Sequence, residues 1–234
     1  MRTRFMTILV TIFSLVLVSW TSANTAAAVT APSRHMPGFI RNWYGVSQLS
    51  YTGSGQTVAI IGAGDYENAA ADLETHIQAY GLASMNGLPG TDPCTIAEGP
   101  YPCFERAKAP ASGVDPAPLY WSGGTAYHLE AASDIQWAHV IAPGANILFV
   151  DAATPQPDDM LTAVDTAVEA GASVVSMSFG WVQTEADLAR EAHFAGKPGV
   201  VFVAASGDRF YDGKLLYPAA SPHVLSVGGT TLKM

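Results

Sequence analysis

Short apolar runs alternate along the chain with segments of helical spacing, and this alternation constrains the fold more than any other feature. The apolar runs cover residues 56–62, 146–151, 173–179, 200–205 and 224–228. Helical spacing extends over residues 68–82, 126–141, 158–170 and 185–194. Continuous apolar runs indicate strands buried on both faces, and strands joined through helices lie parallel. The sequence therefore predicts an α/β fold, a mainly parallel sheet with helices on both faces, and a long loop at residues 87–124.

The first 50 residues differ in composition from the rest. Arg2 and Arg4 precede an apolar run over residues 5–18, and small residues follow it, which is the order of a secretory signal peptide. The run is shorter than the roughly 20 residues that span a bilayer, so we expect cleavage after Ala23 or Ala28 rather than a retained anchor. We expect residues 1–28 to be a signal peptide, residues 29–50 an N-terminal tail, and residues 51–234 one domain of a secreted protein. The aromatic cluster at residues 39–44 is predicted to pack on that domain.

Charge and cysteine content restrict the partners. The chain has 11 Lys+Arg against 20 Asp+Glu, a formal charge of −9, whereas nucleic-acid binding needs clustered basic residues. We expect no nucleic-acid partner and, after signal cleavage, no membrane partner. Cys94 and Cys103 lie in a loop rich in Pro and Gly, without the His or Cys partners of a zinc site. In an oxidising compartment a local disulfide is favoured over two free thiols.

A parallel sheet binds its ligand beyond the carboxyl ends of its strands. The residues in those places are 62–65, 151, 178–181 and 206–208. A dinucleotide-binding turn is disfavoured at the first of them, because Gly62 and Gly64 are followed by Glu67 where the third glycine would stand.

Three segments along the chain form a recognisable set. Residues 128–134 read His-Leu-Glu-Ala-Ala-Ser-Asp and lead into Ala-Pro-Gly-Ala at residues 142–145. Residues 172–180 read ASVVSMSFG, and residues 203–208 read VAASGD before YPAASPHVLSVGGT at residues 217–230. Together, in this order, they resemble the sedolisin family, the serine-carboxyl peptidases that share the subtilisin fold. The resemblance implies a subtilisin-like fold and an exported, acid-acting serine endopeptidase with polypeptide substrates.

The family's helix motif carries its general base and the orienting partner of that base, and the match assigns these roles to Glu130 and Asp134. The two carboxyl groups are four residues apart and share one face of the predicted helix, where like charges repel. We expect one of them to have a raised pKa, because both cannot ionise cheaply at short range. Such a pair can accept a serine proton. From the residues alone, a solvated helix face stays an open alternative.

The resemblance assigns Asp208 to the oxyanion hole. To donate a hydrogen bond to a developing oxyanion this carboxyl must be protonated, which implies action in acid. An aspartate in a tight turn after Gly207 is the alternative from local chemistry.

A rival histidine triad is disfavoured, because the first strand ends in Gly62 and the nearest acid is Asp65. His128 and His139 are therefore expected to be packing or surface residues. The sequence also departs from the family. Gly62 and Phe179 stand where many members have an acid and a tryptophan that support the base. Ser133 replaces a leucine between the two acids. The bulky residues 209–210 follow Asp208 where the family usually has small residues.

The 234 residues contain no Gly-Thr-Ser nucleophile segment. Ser178, Ser206 and Ser226 are interpreted as strand-end or turn serines. We therefore expect a C-terminally truncated peptidase domain that is inactive as this chain, with no metal and no cofactor, since the family's calcium segment would also lie outside it. The alternative is a non-catalytic, peptidase-like module that binds a peptide along a sheet edge or serves a structural role.

Overall fold

The computed structural model describes residues 36–113, 124–208 and 213–231 of the 234-residue chain. Six strands form a central sheet in the order β2-β3-β1-β4-β6-β8, and each neighbouring pair is parallel. Strands β5 and β7 form a separate antiparallel pair. The strand bounds are β1 (Thr57–Ala63), β2 (Phe104–Lys108), β3 (Asn146–Ala152), β4 (Val174–Met177), β5 (Trp181–Val182), β6 (Val201–Ala205), β7 (Leu216–Tyr217) and β8 (Val224–Val227). The predicted parallel sheet is confirmed.

Helices cover both faces of this sheet. In the described part of the chain they are α1 (Pro37–Trp43), α2 (Ala69–Tyr80), α3 (Gly124–Ile141) and α4 (Pro157–Glu169), with 3-10 turns at Val46–Gln48 and Glu185–His193. Helix α2 ends as predicted, because Gly81 adopts the left-handed conformation with φ 61°. Helix α4 begins with acidic residues in its first turn, where the helix dipole favours them.

Alternating side chains of the central strands divide the core in two. Ile60 of β1 and Phe149 of β3 pack with α2 and α3 on one face. Ala59 and Ile61 of β1 and Leu148 of β3 pack with α4 on the other. Since strands β1 and β3 are buried from both sides, their central residues are continuously apolar, which is why the apolar runs predict them correctly.

The face of the sheet that carries Ile60 is less covered at the edge formed by β6 and β8. By the strand register, Val201, Leu225 and Val227 project to the same face as Ile60. Their exposed fractions are 51%, 60% and 47%, whereas Ile60 is 1% exposed. We call these three side chains of β6 and β8 the open face.

Strand β2 corrects the sequence prediction, which has a loop over residues 87–124. This strand lies on the outer edge of the sheet and pairs with β3 alone. Its sequence, Phe-Glu-Arg-Ala-Lys, has no apolar run, because an edge strand is not enclosed on both sides and its charged residues pair with neighbouring aspartates. Residues 114–123 of the predicted loop lie outside the described residues.

Four further points differ from the sequence prediction. The tail contains helix α1, which Arg41 attaches to the domain by donating to the carbonyls of Val140 and Ile141 at the end of α3. The aromatic cluster contributes less than predicted, because Trp43 and Tyr44 are 50% and 64% exposed. Residues 185–193 form a 3-10 rather than an α-helix, with Asp187 held by hydrogen bonds from Trp181, Thr184 and Arg190. The strand predicted at residues 173–179 ends at Met177.

Cys94 and Cys103 lie close together in the loop before β2. Their sulfurs are in bonding contact and their Cα atoms are 5.9 Å apart, which is disulfide geometry. The predicted signal peptide, residues 1–28, lies outside the described residues. Within the described ranges, no helix is both long enough and apolar enough to cross a membrane.

Candidate active site

A cleft of about 340 Å³ opens at the carboxyl ends of β1, β4 and β6, against one side of α3. It contains all three acidic residues that the sequence nominates. Glu130 and Asp134 come from α3, and Asp208 comes from the turn after β6. These side chains therefore lie at the edge of the sheet where parallel sheets commonly bind ligands, beyond the carboxyl ends of the strands.

Glu130 and Asp134 differ in their surroundings although they share a helix face. Glu130 is exposed, and Asp134 is half-buried between α3 and the sheet. Burial raises the pKa of Asp134 to about 6, a hydrogen bond with Ser178 acts to lower it, and the charge of Glu130 raises it further. One carboxyl of the pair therefore has the raised pKa that the sequence predicts. The main cause is desolvation, which the helical spacing does not reveal.

Asp208 lies on the opposite side of the cleft from α3. It is exposed, two residues beyond the hydrogen bond in which the Ser206 amide donates to the Val227 carbonyl. That bond fixes the start of the turn against β8. The role of Asp208 in an oxyanion hole stays a prediction.

The end of β1 has no room for the acid that the family places there. An added Cβ at Gly62 would lie 2.7 Å from Cε2 of Phe149, well inside contact distance. The ring of Phe149 is fully buried. Glycine at this position therefore follows from the packing of an aromatic ring against the strand.

The remaining wall of the cleft is apolar and aromatic. Phe179 and Trp181 stack with an interplanar angle of 9°, and Met160 of α4 lies in the same wall. The Trp181 indole donates to Asp187 Oδ1 at 3.0 Å, which holds the ring in place. Sequence reasoning gave Trp181 no role of its own; its position directly after Gly180 at a strand end was the available signal.

The residues of the rival histidine triad are engaged elsewhere. The Nε2–H of His128 donates to the Gly64 carbonyl at 2.7 Å, and the His128 ring stacks on Tyr66. Asp65 pairs with Lys108 and Arg106, whose hydrogen bonds lower its pKa. Arg106 also contacts the buried Asp151. His139 is completely buried in α3 and its Nε2 lies 2.7 Å from the Ala83 carbonyl.

Comparisons with known proteins agree with this fold. The Subtilase family (Peptidase_S8) matches residues 124–233. Sedolisin from Pseudomonas sp. (strain 101) is 27% identical over 231 residues, which is 90% of this chain and 36% of that protein. The solved structure of Pseudomonas sedolisin, a serine-carboxyl proteinase complexed with two molecules of pseudo-iodotyrostatin, matches with a TM-score of 0.58 and 26% identity. The chain is similar to the sedolisins in sequence and in fold.

The match to the sedolisins agrees with the resemblance that the three sequence motifs carry and confirms the subtilisin-like fold that they imply. It covers 80% of this chain and 52% of the solved sedolisin chain. The chain thus spans about half of the solved structure that it matches and about a third of the curated sedolisin.

The serines of the chain have distinct positions. Ser178 directly follows β4, as predicted for a strand-end serine, and lines the cleft together with Asp134. Ser226 lies within β8, and Ser206 follows β6.

A metal centre finds no support in the part of the chain that the structure describes. No group of three or more His, Cys, Asp or Glu side chains there could hold a metal ion.

Proposed function

We propose that this chain contributes the acid/base part of an exported, acid-acting serine-carboxyl endopeptidase. The observation that carries the proposal is the cleft that contains Glu130, Asp134 and Asp208 together. Its apolar wall and its position at the strand ends suit an extended polypeptide substrate.

The proposed chemistry follows from the difference between the two carboxyl groups on α3. Glu130 is exposed to the cleft and would take the proton of a serine hydroxyl as that oxygen attacks the peptide carbonyl. Asp134, half-buried on the same helix face, would orient Glu130 for this proton transfer. Asp208 would donate a hydrogen bond from its protonated carboxyl to the developing oxyanion, so that activity requires acid.

The attacking serine is the part that these 234 residues do not provide in a Gly-Thr-Ser context. In our proposal it comes from polypeptide outside them, which would reach Glu130 from the side of the open face. The chain alone would then be inactive, because removal of the nucleophile of a serine peptidase costs about six orders of magnitude in turnover.

The test compares the 234-residue chain with a longer polypeptide that continues through a Gly-Thr-Ser segment. Peptide cleavage is measured from acidic to neutral pH. We expect turnover only in the longer polypeptide and only in acid. Glu130→Gln should abolish it, and Asp208→Ala should lower kcat about 10²- to 10³-fold, as for loss of an oxyanion-hole donor. The exposed Glu169→Gln on α4 is the matched control.

Robust turnover by the 234-residue chain that survives Glu130→Gln would overturn the assignment. Peptide binding without turnover in the longer polypeptide would favour the non-catalytic module instead. Export is tested separately by sequencing the N-terminus of secreted protein, which should begin near Asn24 or Val29. An intact Met1 in the cytoplasmic fraction would contradict it.

A further inference from the structure

The half-buried Trp181 side chain lines the cleft and is held by groups behind it. Its ring lies 6.2 Å from that of Phe179 and 5.5 Å from the buried ring of Tyr217, measured between centroids. Its strand β5 has only two residues, and so short a pairing fixes a side chain weakly. The indole nitrogen, however, donates to Oδ1 of Asp187, which is completely buried. The ring therefore depends on a carboxylate that a ligand in the cleft would not touch.

Each oxygen of the Asp187 carboxylate accepts two hydrogen bonds. Oδ1 accepts from Trp181 at 3.0 Å and from Arg190 at 2.7 Å. Oδ2 accepts from the amide and the hydroxyl of Thr184 at 2.7 Å and 3.1 Å. Burial acts to raise the pKa of Asp187, but these hydrogen bonds outweigh it and lower the pKa below its usual range. The carboxylate thus has one orientation, set by four donors.

Arg190 connects this carboxylate to helix α4. Its Nε and Nη2 atoms donate to the two oxygens of Asp158 at 2.9 Å and 3.1 Å, and its Nη1 donates to Asp187. Its guanidinium carbon lies 5.9 Å from the centre of the Trp181 ring, within cation–π range. Asp158 is in the first turn of α4, two residues before Met160 of the cleft wall. One guanidinium therefore joins the two elements that carry this wall.

The part of the wall that these contacts support is apolar. Beside Trp181 it contains Phe179, Met160, Pro155 and Pro157, whereas the three carboxyl groups of the cleft lie on α3 and after β6. Apolar walls take up apolar side chains, and aromatic rings provide a large contact area for them. A polypeptide in the cleft would place such a side chain against Trp181.

We propose that Asp187 is a positioning residue that holds the Trp181 ring against an apolar side chain of a bound peptide, with Arg190 as its support. The nature of the ligand rests on the proposed function, whereas the hydrogen bonds exist in this chain without any turnover. Without Asp187 the ring would have to be ordered on binding, which costs affinity. The loss should be greater for a peptide with an apolar side chain at this wall than for one without it.

The experiment uses the 234-residue chain and two short peptides of alanine and glycine that differ in one central residue, phenylalanine or alanine. Dissociation constants are measured by NMR titration. The phenylalanine peptide should bind at least about tenfold more tightly, since apolar pockets discriminate to this extent between side chains that differ by one methylene. Asp187→Ala should reduce this ratio about threefold or more. Asp165→Ala is the matched control, because Asp165 also joins α4 to the 3-10 segment, but through His193 at 2.7 Å.

A second measurement follows the Trp181 indole N–H in ¹H–¹⁵N spectra, with its signal assigned by its loss in Trp181→Phe. Asp187→Ala should increase the hydrogen exchange of this group about tenfold or more, as expected for loss of a hydrogen bond to a charged group. Asp187→Asn retains an oxygen that accepts from the indole, so both effects should be smaller in this variant. A residue that only stabilises the fold would change the free energy of unfolding without changing the peptide ratio.

The proposal is overturned if Asp187→Ala leaves the peptide ratio unchanged, if Asp165→Ala reduces it equally, or if the unaltered chain does not distinguish the peptides. If Asp187→Ala does not fold, Arg190→Met replaces it, because it removes the link to Asp158 and one of the bonds to Asp187. The ratio should then fall by a smaller amount, and an unchanged ratio would overturn the proposal. Absence of turnover in the longer polypeptide would refute the proposed function without affecting this result.

Discussion

The two ends of the central sheet are built differently. Strands β1 and β3 are enclosed by α2 and α3 on one face and by α4 on the other, and side chains such as Leu148 are 1% exposed. Strands β6 and β8 have a comparable apolar sequence, but Leu225 on the open face is 60% exposed. Equal hydrophobicity in the sequence therefore gives unequal burial. We call the enclosed part of the sheet around β1 and β3 the closed end. Helix α3, which carries Glu130 and Asp134, packs against it, whereas the open face leaves space beside the cleft.

The largest expected effect is on the free energy of unfolding, and it compares the buried Leu148 with the exposed Leu225. Leu148→Ala should lower the free energy of unfolding by about 2 to 5 kcal/mol, because it removes a buried side chain and leaves a cavity. Leu225→Ala makes the same chemical change on the open face and should change it by about 0.5 kcal/mol or less. Urea denaturation of both variants measures the difference. A loss in Leu225→Ala as large as in Leu148→Ala would mean that the open face is covered in solution.

An intermediate effect on the free energy of unfolding is expected from the disulfide in the loop before β2. Cys94 and Cys103 close a loop of about ten residues, so their disulfide should contribute about 2 to 3 kcal/mol in the chain-entropy model. Urea denaturation of oxidised and of reduced protein measures this contribution without any substitution. Mass spectrometry of unreduced peptides from the exported protein tests the bond itself. Two alkylatable thiols there would contradict it.

The smallest expected effect is pH-dependent and lies beneath α3 of the closed end. Burial lowers the pKa of His139, and burial together with the charge of His139 lowers the pKa of His76. The unfolded chain binds these protons as pH falls through about 6.5, while the folded chain stays neutral to lower pH. The free energy of unfolding should therefore decrease on acidification below about pH 6.5, by up to about 1.4 kcal/mol per pH unit for each histidine.

Asp134 acts in the opposite direction, because its pKa is raised to about 6 in the folded state. Its contribution grows as pH falls from about 6 and is lost as pH rises through that value. Denaturation at about pH 5, 6 and 7 separates the two effects. His139→Gln should flatten the acid decrease, and His128→Gln on the same helix is the control. An unchanged slope in His139→Gln would show that His139 does not control it.

Sequence patterns predicted this fold well wherever a segment is enclosed. Strands β1 and β3 and helices α2, α3 and α4 lie within a few residues of their predicted bounds. Strand β2 was missed because its pairing depends on β3, which is distant along the chain, and its own residues carry no apolar pattern. The 3-10 geometry at Glu185–His193 was also missed; in this segment Asp187 accepts hydrogen bonds from Trp181 and Arg190.

At the cleft, the sequence by itself determined which residues could meet. The spacing of Glu130 and Asp134 places both on one helix face, and the apolar run before Asp208 brings that residue to a strand end, because both are consequences of local periodicity. Only the tertiary structure decided the surroundings of these residues. The desolvation of Asp134 and the exclusion of any side chain at Gly62 by the ring of Phe149 both depend on which distant segments pack together. A periodicity carries no information about those contacts, since they arise between elements rather than within one.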